Sequence, residues 1–138
     1  MIYIINYFSS KHIFRQLFKY SIVGVFNTAL GLGIMYILYN LFECNYVIAN
    51  IIGYACGLVN SFIWNKKWTF KSSMHYSKEI IPFLVVFAIS YITNLITVIS
   101  LVELINVHPN LAQIFGIVAY SSTNFLINRY WTFSKGME

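Results

Sequence analysis

The sequence predicts an all-α membrane protein. Four spanning helices form two parallel-repeat hairpins with both termini cytoplasmic, preceded by an amphipathic helix lying in the interface. Three observations carry this reading. First, 59% of the 138 residues are hydrophobic and only 9% are charged, with a mean hydropathy of +0.68; a soluble domain carries about a quarter charged residues. Second, the charges are gathered between long uncharged runs. Third, Asn65-Lys66-Lys67-Trp68-Thr69-Phe70 is written again as Asn128-Arg129-Tyr130-Trp131-Thr132-Phe133, and internal repetition points to a duplicated structural unit.

The elements follow in order. The apolar residues 1–8 precede any positive charge, the reverse of a cleavable signal peptide. In residues 10–19, Lys11, Arg15 and Lys19 recur every four residues and share one helical face, while Ile13, Phe14, Leu17 and Phe18 point elsewhere. That pattern fits an interfacial helix, either an orientation anchor or a phosphate-binding stripe. The uncharged runs are 20–42, 46–65, 80–102 and 109–128. A helix needs about 20 such residues to cross ~30 Å of hydrocarbon. Pro109 suits the first turn of the fourth run, and Pro82 falls near the start of the third, where a missing N–H is harmless.

The connections orient the chain. All nine basic residues fall on one side: Lys11, Arg15 and Lys19; Lys66, Lys67, Lys71 and Lys78; Arg129 and Lys135. The other two loops have only Glu43 and Glu103 near them. The positive-inside rule then makes both termini cytoplasmic, and the expected residence is the cytoplasmic (inner) membrane. A shift of sixty-three residues superposes Ala49, Gly53, Phe62 and Asn65 on Ala112, Gly116, Phe125 and Asn128. The first and third helices match less well under it.

Polar residues interrupt the runs. Gly53, Gly57, Ser61 and Asn65 form one ridge at four-residue spacing; Gly116, Tyr120, Asn124 and Asn128 form its counterpart. In lipid, small residues let backbones approach and amides bond between helices, each worth ~0.6–2 kcal/mol. Asn27, Asn60, Asn65, Asn94, Asn124 and Asn128 outnumber what pairing requires. Two readings stand: interhelical packing, or a polar groove accepting hydroxyl-rich cargo. Trp68 and Trp131 suit interface anchoring or stacking on a sugar face.

Other chemistries lack their residues. The basic residues flank apolar runs and make no nucleic-acid patch. No run has an ionisable group at mid-depth, which argues against a proton-coupled pump. Metal-ligand spacing, a phosphate-cradling glycine loop and a nucleophile–base pair are missing, so the chain reads as a non-enzyme with no cofactor. Cys44 and Cys56 sit at different depths and do not meet.

Lys19-Tyr20-Ser21-Ile22-Val23-Gly24 resembles the Arg-Phe-x-x-Val-Gly opening of the GtrA-like membrane proteins, and the paired Asn-x-x-Trp-Thr-Phe resembles their most recognisable motif. Lys19 departs from the commoner Arg, keeping the charge and losing the bidentate fork. The resemblance runs from Arg15 to Phe133. It implies a partner lipid, a polyprenyl-phosphate-linked sugar such as undecaprenyl-phosphate glucose, moved outward for cell-surface polysaccharide synthesis. On that footing Arg15, Lys19, Lys66, Lys67 and Arg129 would hold phosphate. Asn27, Asn60, Asn65, Asn94, Asn124, Asn128, Trp68 and Trp131 would line the sugar's path. Four short helices enclose little volume, which favours a non-transporting scaffold unless subunits associate as a homo-oligomer. That alternative scaffold recruits a membrane glycosyltransferase and moves nothing. Small multidrug transporters share the size, but depend on a membrane-embedded Glu in the first helix that this chain lacks.

Overall fold

A computed structural model describes residues 10–137; the apolar opening 1–8 lies outside them. The described chain has four helices: α1 (Ser10–Asn40), α2 (Tyr46–Trp64), α3 (Tyr76–Ile99) and α4 (Pro109–Ile127). Three of them end in a five-residue π-helical turn: α2 in Asn65–Thr69, α3 in Ser100–Leu104 and α4 in Asn128–Thr132. The chain divides into two compact units, Met1–Lys71 and Ser72–Glu138. Each is a helical hairpin, α1 on α2 and α3 on α4.

Three helices are long and apolar enough to cross a membrane: Lys11–Asn40, Tyr46–Thr69 and Tyr76–Leu104. The last helix is more polar, with Gln113, Asn124, Asn128 and Arg129 along it. Large apolar side chains face outward throughout, among them Phe26, Leu32, Ile51, Ile81, Ile92 and Phe115. That is the reverse of a soluble protein and what a lipid solvent requires.

The amphipathic segment 10–19 and the first span are one unbroken helix, which corrects the expectation of a separate interfacial element. No Gly or Pro occurs between residues 10 and 23 to break it. The third helix starts earlier than its apolar run. His75 caps it, its Nδ1 accepting from the Ser77 N–H at 3.4 Å, and Glu79 sits in its first turn. Pro82 therefore lies inside the helix, beyond the first turn, and its missing N–H leaves the Lys78 carbonyl without a helical donor.

The sixty-three-residue register holds through every element, including the first and third helices. Asn45 caps α2 by accepting from the Val47 N–H; His108, its counterpart, caps α4 by accepting from the Asn110 N–H. Glu43 and Asn106 correspond, and both take a left-handed φ, 50° and 59°. The Cys44 N–H donates to the Leu38 carbonyl at 3.0 Å, and the Val107 N–H donates to that of Leu101 at 2.9 Å. Buried positions pair too: Gln16 with Glu79, Val23 with Val86, Ala49 with Ala112, Phe62 with Phe125, Phe70 with Phe133. The close approach pairs as well. A Cβ on Gly53 would lie 2.8 Å from the Gly31 carbonyl oxygen, and one on Gly116 would lie 2.8 Å from Asn94 Nδ2, at the position corresponding to 31.

Candidate functional site

The repeated motif folds the same way twice. The Phe70 N–H donates to the Asn65 carbonyl at 2.8 Å, and the Phe133 N–H to the Asn128 carbonyl at 2.9 Å, each spanning five residues. A π-turn widens the helix by one residue per turn and re-aims the side chains that follow, a device frequent at functional sites. Here it buries Asn65, Lys66, Thr69 and Phe70 in one copy and Asn128, Arg129, Thr132 and Phe133 in the other. Lys67 and Trp131 stay exposed, and Trp68 is half-buried.

The buried amides are partly satisfied locally. Asn65 Nδ2 donates to Ser61 Oγ at 3.1 Å, and Asn128 Nδ2 to Asn124 Oδ1 at 2.8 Å. Asn65 Oδ1, Thr69 Oγ1, Asn128 Oδ1 and Thr132 Oγ1 are buried without a hydrogen-bond partner among the described residues. Deeper in the first hairpin, Asn60 Nδ2 donates to Asn27 Oδ1 at 2.5 Å. Asn94 packs on Gly116 at the closest approach of α3 and α4. The hydroxyls mostly turn back on their own helices: Thr28 to the Gly24 carbonyl, Ser90 to Val86, Thr93 to Ile89 and Thr97 to Thr93. Such i−4 bonds satisfy a hydroxyl without a neighbouring helix.

Of the five expected phosphate ligands, Lys66 and Arg129 are buried, while Arg15 and Lys67 are exposed and Lys19 is intermediate. Burial ties Lys66 and Arg129 to the protein interior and leaves the others facing outward. Lys19 Nζ donates to the Trp68 carbonyl at 3.3 Å and lies 5.2 Å from the Trp68 ring centroid, within cation–π range. The charges of Lys71 and Arg15 bear on it as well. Trp64 meets Trp68 edge to face, centroids 6.5 Å apart. Beside these rings a cavity of about 230 Å³ opens between α1 and α2, lined by Ile22, Val23, Phe26, Asn60, Trp64 and Trp68.

The first hairpin thus presents, from one end inward, a cluster of cations, two indoles, an apolar cleft and an amide pair. Lys71 and Trp64 escaped the sequence reading. Lys71 carries a left-handed φ of 52°, which no residue type there announces. Trp64 belongs to the apolar run in sequence and reveals itself only through its contact with Trp68.

The family description "GtrA/DPMS, transmembrane domain" matches residues 19–133. The membrane protein YngA of Bacillus subtilis (strain 168) is 30% identical over 130 residues, 93% of this chain and 86% of the relative. YwcD of the same organism is 27% identical over 123 residues, 86% of this chain and 97% of the relative. The bactoprenol-linked glucose translocase of Shigella flexneri is 32% identical over 82 residues, 59% of this chain and 66% of that protein.

Proposed function

The chain belongs to the GtrA/DPMS transmembrane family, and from that premise we propose that it translocates a polyprenyl-phosphate-linked sugar across the cytoplasmic membrane. The similarity to the bactoprenol-linked glucose translocase of Shigella flexneri supports this reading. The observation that carries it is the order of chemistry along the first hairpin: Arg15, Lys19 and Lys71 at one end, then Trp68 and Trp64, then Asn60 with Asn27. By the positive-inside rule that end is cytoplasmic, with both termini on the same side. There the cations neutralise the phosphate. The lipid tail stays in hydrocarbon, so only the sugar head needs a path, and amides exchange hydrogen bonds with its hydroxyls in place of water. The protein acts as a carrier and makes or breaks no bond. Movement runs downhill, drawn by consumption of the sugar outside in polysaccharide synthesis.

Vesicles containing only this protein and a labelled polyprenyl-phosphate glucose test the reading. Equilibration of label between leaflets supports it, and failure by folded protein overturns it.

A second reading, a scaffold for a membrane glycosyltransferase, is favoured by one observation. Asn27 with Asn60, Asn65 with Ser61 and Asn128 with Asn124 already bond to each other within their hairpins. The first pair joins α1 to α2, as helix association requires, and the other two bond along a single helix, so each pair is made without cargo. Retention of a glycosyltransferase by a protein inert in the vesicle assay marks that outcome.

A further inference from the structure

The cation-bearing end of the first hairpin is only partly repeated in the second. Under the sixty-three-residue register, Arg15 corresponds to Lys78, but Lys19 corresponds to Pro82 and Lys71 to Ser134. The cleft differs in the same way. Phe26, Asn60 and Trp64 correspond to Ile89, Thr123 and Ile127. Val23 and Trp68 keep their identities, as Val86 and Trp131, and Trp131 stands exposed where Trp68 is half-buried. Duplication supplied the frame, and the first copy alone holds three cations over an aromatic cleft.

Two physical features define what that cleft takes. The charges of Lys71 and Arg15 bear unfavourably on that of Lys19, and an anion beside Lys19 offsets that cost. Lys19 lies against Trp68, which itself lines the cleft, so an anion at Lys19 sits at the mouth of an apolar slot. The slot is lined by Ile22, Val23, Phe26, Trp64 and Trp68, with one amide at its far end. As a resting place these walls suit hydrocarbon better than a sugar, most of whose hydroxyls would find only Asn60 to pair with. A short stretch of branched hydrocarbon has no such need. At about 230 Å³ the slot has room for the beginning of a prenyl chain and not for the whole of it.

We propose that the first hairpin carries a single recognition site for the carrier lipid itself: the Arg15–Lys19–Lys71 cluster holds the phosphate of a polyprenyl phosphate, and the cleft between α1 and α2 holds its first isoprene unit. This deepens, and rests on, the lipid-linked reading above. It gives the first hairpin the task of choosing the lipid, whatever sugar the lipid bears. Trp64 and Phe26 are specificity-determining walls of the cleft, and Lys71 is a phosphate ligand.

Calorimetric titration of the full chain in nonionic detergent with farnesyl phosphate reads this directly. The protein binds farnesyl phosphate saturably, and inorganic phosphate, farnesol and straight-chain dodecyl phosphate each bind more weakly by about tenfold or more. Lys19→Gln with Lys71→Ser weakens farnesyl phosphate by about tenfold, and so does Phe26→Ile with Trp64→Ile. Both pairs bring in residues of charge or shape close to those the second hairpin already tolerates. Lys78→Gln and Trp131→Phe in that hairpin change affinity less than about twofold. Should the Phe26–Trp64 pair fail to fold, Ile22→Trp, which fills the cleft from its rim, takes its place and also weakens binding about tenfold.

Equal affinity for dodecyl phosphate overturns the assignment to an isoprenyl chain. Unchanged affinity in the first-hairpin variants, or equal loss in the second-hairpin ones, overturns the site. Vesicle transport that proceeds undiminished in the cleft variants sinks this inference and leaves the carrier function standing. Binding that behaves as described in a protein that equilibrates no labelled sugar does the opposite.

Discussion

The two hairpins share a skeleton and differ in what they expose. Both close the same turn with a left-handed residue, Glu43 or Asn106, and both start their second helix from a capping side chain, Asn45 or His108. Both end in a π-turn that buries an Asn, a cation, a Thr and a Phe. Yet the second hairpin places Phe87 against Tyr120, rings edge to face with centroids 6.3 Å apart, where the first has Gly24 and Gly57. The first bonds Asn27 to Asn60, where the second has Ser90, bonded to its own helix, and Thr123. The second also fastens its first residues to its last. Ser72 bridges to Met137, Ser72 Oγ bonds Glu79, and the Ser73 N–H donates to the Gly136 carbonyl at 2.8 Å. Gly136 has to be glycine there, because a Cβ would run into Ser72 Oγ and come within 2.9 Å of the Met74 nitrogen. Repeated positions therefore mark what holds a hairpin together, and unmatched ones mark where a task can differ.

That division is open to test, from the largest effect down. The π-turn cations are frame, so Arg129→Ala, which empties the largest fully buried side chain among the described residues, should cost about 3 kcal/mol or more of unfolding free energy. Lys67→Ala, exposed on the first π-turn, should cost less than about 0.5 kcal/mol. Denaturant titration in micelles, followed by helical circular dichroism, compares them, and similar costs would break the distinction.

The helix crossings are also frame, but the first is stricter. Gly53→Ala meets the Gly31 backbone oxygen, which cannot swing aside, whereas Gly116→Ala meets the Val98 and Asn94 side chains. Both should destabilise by about 1–3 kcal/mol with Gly53 the worse, read by the same titration; a reversed order would mean that α1 and α2 can part more easily than α3 and α4.

The ring pair separates the hairpins in the middle range. A double-mutant cycle on Phe87→Ala and Tyr120→Ala should return a coupling of about 0.5–1.5 kcal/mol. Gly24→Ala, which meets nothing within 4 Å, should be neutral or stabilising by up to about 1 kcal/mol. A destabilising Gly24→Ala would show that this position needs its backbone bare.

The smallest effect belongs to the amides. The cycle on Asn27→Ser and Asn60→Thr should give a coupling near ~0.6 kcal/mol. Loss of lipid-linked sugar transport without loss of stability would assign the pair to cargo.

Much of this was legible in the letters. The four runs, the lone basic side of each connection and the duplicated Asn-x-x-Trp-Thr-Phe set the helix count and the repeat. The helix starts were less so, because His75 and His108 are not usual capping residues and Ser77 and Asn110 had to be seen bonding to them. The site was half legible. Arg15, Lys19, Trp68, Asn27 and Asn60 could be named from position and type, but Lys71 and Trp64 join them only because a left-handed turn and an indole contact bring them there. Nor could spacing tell that Lys66 is buried and Lys67 exposed, since adjacent residues on a π-turn face different ways.

Sequence alone determined that this chain is a helical membrane protein built from a doubled unit, because hydrocarbon selects for uncharged runs of one length and a duplication leaves its register in the residues. Tertiary structure alone decided which cations face outward, which hydroxyls satisfy themselves and which hairpin keeps a cleft. Those depend on how a widened helical turn aims each side chain and on how closely two backbones approach, and neither quantity is written in composition or periodicity.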